Sequence, residues 1–164
     1  MKQKMEIERK WWFKGDVEEF LRECEIIKII HIYQKYLSMG EHEIRIRLKQ
    51  KEPLVVYKEG FGLVRNELTF RTTMKDFDEK MELFGGKEVN SLSKSRLVVV
   101  YCSEEYEVDV FQDRSLVLIE KEFESVVDAE SFVGAIEDIA EEVTGDYDFY
   151  NANLVNRYDK EFLI

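Results

Sequence analysis

The chain has 164 residues and a formal charge of −11, with 45% apolar and 13% aromatic side chains. That is enough apolar material for one buried core, and it excludes a disordered chain. The excess of acid argues against a general nucleic-acid binder, because a phosphate backbone attracts a basic surface, but it leaves room for a small enclosed basic site. No apolar run approaches the ~20 residues of a membrane span, and Met1 is followed by lysines and acids instead of a signal core. A single proline and the lack of a Gly/Ser linker point to one domain over residues 1–164. Cys24 and Cys102 have neither a C-x-x-C spacing nor a nearby His pair, so the expectation is two thiols in a cytoplasmic protein, without zinc or a disulfide.

Alternation of period two dominates the chain and predicts strands. The first covers residues 2–11 and carries "EIERK", which sets Glu6, Glu8 and Lys10 on one face and Ile7 and Arg9 on the other. Asp16 then opens a short capped helix through Leu21. Strands follow at 28–37, 42–50, 53–59 and 63–72, with turns marked at Met39-Gly40 and Glu59-Gly60. Between Asp76 and Phe84, the spacing of Phe77, Met81 and Phe84 predicts a helix. Strands at 93–102, 105–112 and 115–124 come next, with a turn at Gln112-Asp113. Ser125 resembles an N-terminal cap, and it leads into Phe132, Ile136, Ile139 and Val143, the apolar stripe of an amphipathic helix. Eight strands joined by mostly hairpin-length links predict a mainly β (α+β) fold: a closed antiparallel barrel, which leaves no exposed edge, with helices outside.

Charge recurs on one face of strand after strand. Glu43, Arg45, Arg47 and Lys49 oppose Ile44, Ile46 and Leu48, and Arg65, Glu67, Thr69 and Arg71 oppose Val64, Leu68 and Phe70. Lys94 shares a face with Arg96, Glu107 with Asp109, and Glu120 with Glu122 and Glu124, while Lys58 lies on a strand of its own. If these faces line a barrel, the charges need partners or ligands. Clustered carboxylates suit hard divalent cations, and clustered Arg and Lys suit phosphate oxygens. An open sheet whose outer face is a lattice of ion pairs has the same pattern, and alternation alone does not separate the two.

These segments, in this order, resemble the CYTH superfamily, the triphosphate tunnel metalloenzymes, over nearly the whole chain. Glu6-Ile7-Glu8-Arg9-Lys10 matches its E-x-E-x-K. Gln34-Lys35-Tyr36-Leu37 looks like its Q-x-Y-L and precedes the paired Arg45 and Arg47. Lys58 aligns with a tunnel lysine, Arg65 and Glu67 with R-x-E, and Lys94 and Arg96 with K-x-R. Glu107-Val108-Asp109-Val110-Phe111 resembles the late E-x-D-x-F strand and Glu120-Lys121-Glu122 the late E-x-E. Glu142-Val143-Thr144, then Tyr150-Asn151 and Leu154, look like the closing elements. The chain departs from the pattern at Val56, where a Thr is common, and at Thr69, where a second acid is common; a Pro before Glu142-Val143-Thr144 is missing.

The resemblance implies an eight-stranded tunnel that acts on a triphosphate with Mg²⁺ or Mn²⁺. It implies Glu6, Glu8, Glu67, Asp109, Glu120 and Glu122 as metal ligands. Arg45, Arg47, Lys58, Arg65, Lys94 and Arg96 would bind substrate, and Lys10, Lys94 and Glu122 would take part in catalysis. The expected activity is hydrolysis of a triphosphate, inorganic triphosphate first, with a class IV adenylate cyclase and then a thiamine triphosphatase as alternatives. The expected partner is a small-molecule triphosphate, with neither nucleic acid nor membrane, and the chain a monomer or homodimer. Trp11-Trp12-Phe13 is read as packing, His31 and His42 as incidental, and the acids from Glu137 to Glu142 as a solvated face in which Glu142 has a structural role.

Overall fold

A computed structural model describes residues 1–150 and Leu154. Eight long strands form the wall: β1 (Lys2–Phe13), β2 (Glu25–Ser38), β3 (His42–Lys49), β4 (Glu52–Glu59), β5 (Val64–Arg71), β6 (Ser91–Tyr101), β7 (Glu104–Phe111) and β8 (Val117–Glu122). A two-residue strand, β9 (Glu141–Glu142), adds to the outside of β1 at Trp11 and Trp12. The sheet order is β5-β4-β3-β2-β6-β7-β8-β1-β9, and a β5–β1 pairing closes it into an antiparallel barrel. β1 is the closing strand because its two halves face different neighbours. Lys2 to Ile7 pair with β5, and Glu8 to Phe13 pair with β8.

The eight expected strands are all present, displaced by a few residues at their ends. Two hairpins turn on residues that lack the usual glycine. Gln50 and Lys51 have φ of 50° and 68°, and Cys102 and Ser103 have φ of 47° and 68°. A positive φ at both central positions matches the right-handed twist of the flanking strands.

The helices lie outside, as expected. Asp16 caps α1 (Val17–Arg22) by accepting from the Glu18 and Glu19 amides, and Thr73 caps α2 (Met74–Leu83) through the Asp76 amide. Phe77 and Met81 of α2 pack on Ile46 and Val55, on the outer faces of β3 and β4. Trp11, Val99, Tyr106, Val108 and Ile119 form the outer core on the opposite side, covered by Phe20 of α1 and by Ile136. Trp11 and Phe13 are therefore packing residues, and Trp12 rests against a third apolar cluster.

The long amphipathic helix expected through Val143 is absent. Helix α3 covers only Val126–Ser131, Phe132 is extended, and a separate 3-10 turn spans Ala135–Asp138. The cause lies on β1. Arg9 Nη1 donates to the carbonyls of Ala129 (3.1 Å) and Phe132 (2.7 Å), and Nη2 pairs with Glu137 (2.6 Å) and Glu142 (2.7 Å). A guanidinium with five donors satisfies the carbonyls of a stopped helix and holds the segment flat on the barrel. Glu142 does have the expected structural role. Asn151, named in the closing motif, lies outside the described residues.

The third cluster decides the shape of the interior. Tyr36, Leu92, Phe111 and Leu118 pack with Val143, Phe149 and Leu154. The four strand residues share the inward faces of β2, β6, β7 and β8 with charged side chains nearer the other end. The barrel is thus filled with apolar side chains at one end and lined with charge over the rest.

Candidate active site

The charged section encloses a cavity of about 200 Å³. Eleven of the expected site residues line it, from six of the eight strands: Glu6, Glu8 and Lys10 of β1, Arg45 and Arg47 of β3, Lys58 of β4, Arg65 and Glu67 of β5, Arg96 of β6, and Glu120 and Glu122 of β8.

 Glu122 is the exposed one, at the rim. Lys94 and Asp109 do not line the cavity. They sit beneath it, both fully buried, as a pair with Lys94 Nζ 2.6 Å from Asp109 Oδ2, and Lys94 Nζ lies 5.7 Å from the Phe111 ring centre. They therefore mark the boundary between the charged section and the apolar plug. Lys4, Glu43, Lys49 and Glu107, from the same strand faces, and Tyr150, from outside the strands, also line the cavity although none is among the expected site residues.

Most of these charges already have protein partners. Lys58 Nζ donates to both oxygens of Glu6 (2.7 and 3.0 Å) and lies 3.3 Å from Glu67. Against the cost of burial, the Lys58 ammonium holds Glu6 down to about 2. Arg96 forks onto Asp109 (2.7 and 2.9 Å) and reaches Glu107 (2.5 Å) and Glu120 (3.1 Å). Glu120 also lies 3.4 Å from Lys10. Despite its burial, Glu120 therefore stays well below the usual carboxylate range, held by Lys10 and Arg96. Glu43 is 3.3 Å from Arg45 and 3.4 Å from Arg65.

Two charges break this pattern. Glu8 has no cation within ion-pair distance among the described residues. Burial, with Glu120 and Glu6 close by, pushes it up to about 8. One oxygen from each of Glu6, Glu8 and Glu122 lies within 4.8 Å of the other two, a spacing that lets three carboxylates converge on one cation. Arg47 is the converse case. It has no carboxylate partner among the described residues, and its Nε donates only to the neutral Gln34 Oε1 at 3.0 Å. Burial, then Arg45 and Arg96, push it down to about 10. Lys49 is also lowered, by burial and then by Arg47 and Arg96. The cavity thus has an acid cluster short of positive charge and a basic cluster short of negative charge.

His31 bonds Ser95, and His42 bonds Tyr57 and lies 3.8 Å from Glu59, both at the surface and away from the cavity. Cys24 and Cys102 are free thiols. No helix among the described residues is long and apolar enough to cross a membrane.

No protein-family profile and no curated protein matches the chain. Solved structures do match in fold. The inorganic triphosphatase NE1496 is 24% identical, with 92% of this chain and 93% of that one covered at a TM-score of 0.59. The PH1012 protein of Pyrococcus horikoshii OT3 is 17% identical, with 83% and 94% covered at 0.61. A Hippeastrum protein described as an adenylyl cyclase with a dominant triphosphatase activity is 12% identical, with 76% and 82% covered at 0.56. What these structures share with the chain is the fold.

Proposed function

We propose that the protein hydrolyses a triphosphate with the help of a divalent cation, and that inorganic triphosphate is the substrate. The observation that carries this reading is a pair of clusters in one cavity, each left with charge to spare: Glu8, without a cation, beside Glu6 and Glu122, which pair with Lys58 and Lys4, and Arg47 with Lys49. A triphosphate bound with a divalent cation supplies both missing charges at once. The fold shared with the inorganic triphosphatase NE1496 supports the same reading.

Glu6, Glu8 and Glu122 fit a hard cation, since three carboxylate oxygens converge and Glu8 has no competing ammonium. Mg²⁺ or Mn²⁺ bound there would draw charge from the phosphoryl oxygens and make a water more acidic. Glu120 and Glu67 support the cluster from beside it, each already tied to a lysine. Arg47 and Lys49 grip the phosphate oxygens, with Arg45, Arg65 and Lys58 along the wall. A water oxygen attacks the terminal phosphorus and the bond to the neighbouring bridging oxygen breaks. Its electron pair leaves on diphosphate, and Glu122 takes the proton from water. Lys10 balances Glu120. Lys94 acts through Asp109, which fixes Arg96 beside the leaving diphosphate.

The catalysis is positional and electrostatic, with charge stabilised on the phosphoryl oxygens during in-line attack. We place the protein in the cytoplasm, where Cys24 and Cys102 stay reduced, as a single domain over 1–164. The test is phosphate release from tripolyphosphate with Mg²⁺ or Mn²⁺. Release that stops in EDTA and returns with added metal supports the reading, and undiminished turnover after thorough chelation defeats it.

A further inference from the structure

Gln34 and Tyr36 are polar residues of β2 with 0% and 1% of their surface exposed, and neither lines the cavity. The register sets Gln34 opposite Arg47 and Tyr36 opposite Arg45. Arg47 Nε donates to Gln34 Oε1 at 3.0 Å, and Gln34 Nε2 donates to Tyr36 Oη at 3.0 Å. Arg45 Nη1 donates to the same Tyr36 oxygen at 3.3 Å. A continuous chain of hydrogen bonds therefore joins two guanidinium groups through two neutral side chains.

The neutrality has a consequence. Arg47 stands close to Arg45 and Arg96, and like charges side by side would turn away from one another without a tether. A carboxylate could tether Arg47, as Asp109 tethers Arg96, but it would also cancel the charge. Gln34 tethers it through Nε alone. The two terminal nitrogens of Arg47 make no bond among the described residues, which leaves the fork free for a planar anion.

We propose that Gln34 and Tyr36 are positioning residues, which fix the guanidinium groups of Arg47 and Arg45 toward a phosphate while leaving the charge of Arg47 uncompensated. The proposal rests on the triphosphate reading of the cavity. Preorganisation of this kind shows in binding, because the entropy of ordering two long side chains is spent in folding and not on ligand capture.

The test measures tripolyphosphate binding by calorimetry in EDTA, with kcat, KM and urea stability alongside. Gln34→Leu removes the acceptor. It should weaken tripolyphosphate binding about tenfold and raise KM in proportion, with kcat within about twofold of wild type. Gln34→Glu keeps the acceptor oxygen and adds a charge, so it should weaken binding at least as much although the tether is restored. Tyr36→Phe deletes one oxygen and should give a smaller loss of affinity of the same kind, and it carries the comparison if Gln34→Leu fails to fold. Wild-type affinity in Gln34→Leu or, where that variant is unfolded, in Tyr36→Phe overturns the proposal. Wild-type affinity in Gln34→Glu overturns the requirement for a neutral tether. Binding by the wild-type protein without hydrolysis once metal is added would defeat the hydrolase reading alone, since the affinity comparison still decides the role of Gln34. Absence of tripolyphosphate binding in the wild-type protein overturns both.

Discussion

Lys58 Nζ lies 2.7 and 3.0 Å from the two oxygens of Glu6, so the most buried acid of the cation cluster is already neutralised by the protein. The Lys58 ammonium holds Glu6 ionised. Glu8, with no such partner, must lose a proton or find a cation to be charged at neutral pH. The two neighbours in one motif thus play different parts.

Lys58→Met should expose this difference. Removing one partner of a buried ion pair strands the other, at a cost of about 3 kcal/mol or more. Urea denaturation in EDTA should show the loss, and saturating Mn²⁺ should restore more stability to the variant than it adds to wild type. Unchanged stability in EDTA would show that the pair contributes nothing.

Glu8→Gln should behave in the opposite way. It replaces an acid that has no ion-pair partner, so the melting temperature in EDTA should stay near that of wild type or rise. The shift on adding Mn²⁺ should largely disappear, and phosphate release should fall more than tenfold, or about 1.4 kcal/mol. A full Mn²⁺ shift in this variant would remove Glu8 from the cation site.

Arg9 gives a prediction for stability and pH away from the cavity. Glu142 is held below its usual value first by its hydrogen bond to Arg9. A carboxylate with a depressed folded value contributes stability that is full above its unfolded value and is lost as the pH falls through the folded one. Stability of the wild-type protein should therefore fall with acid below the ordinary glutamate range. Arg9→Met should flatten part of that slope and cost about 2 kcal/mol near neutral pH. Since 38% of the Glu142 side chain is exposed, most of the cost should come from the stranded carbonyls of Ala129 and Phe132. An unchanged acid slope in Arg9→Met would separate Glu142 from acid stability.

The wall of the barrel was legible because each strand alternates apolar and charged residues, and period two assigns every side chain to a face. The same alternation carried Lys4 beside Glu6, Glu43 beside Arg45, and Glu107 beside Asp109, and Lys4, Glu43 and Glu107 line the cavity. It did not carry depth. Lys94 and Asp109 are on the right face, but the stagger of neighbouring strands sets them below the cavity. Tyr150 reaches the wall from outside any periodic segment, so no pattern marked it. The stripe from Phe132 to Val143 has helical spacing, yet the segment breaks because Arg9, far away in sequence, takes its carbonyls. Tertiary contacts overrode the local signal there.

The measurement closest to the central claim is phosphorus NMR of the products formed from tripolyphosphate and from ATP, each with Mn²⁺. The cavity offers carboxylates and cations for a phosphate chain, and the described residues of its wall include no group assigned to a base or ribose. The account predicts diphosphate and phosphate from tripolyphosphate, at a kcat/KM at least about tenfold above any reaction of ATP, with little or no cyclic AMP. Rapid conversion of ATP to cyclic AMP and diphosphate, with tripolyphosphate left intact, would contradict it.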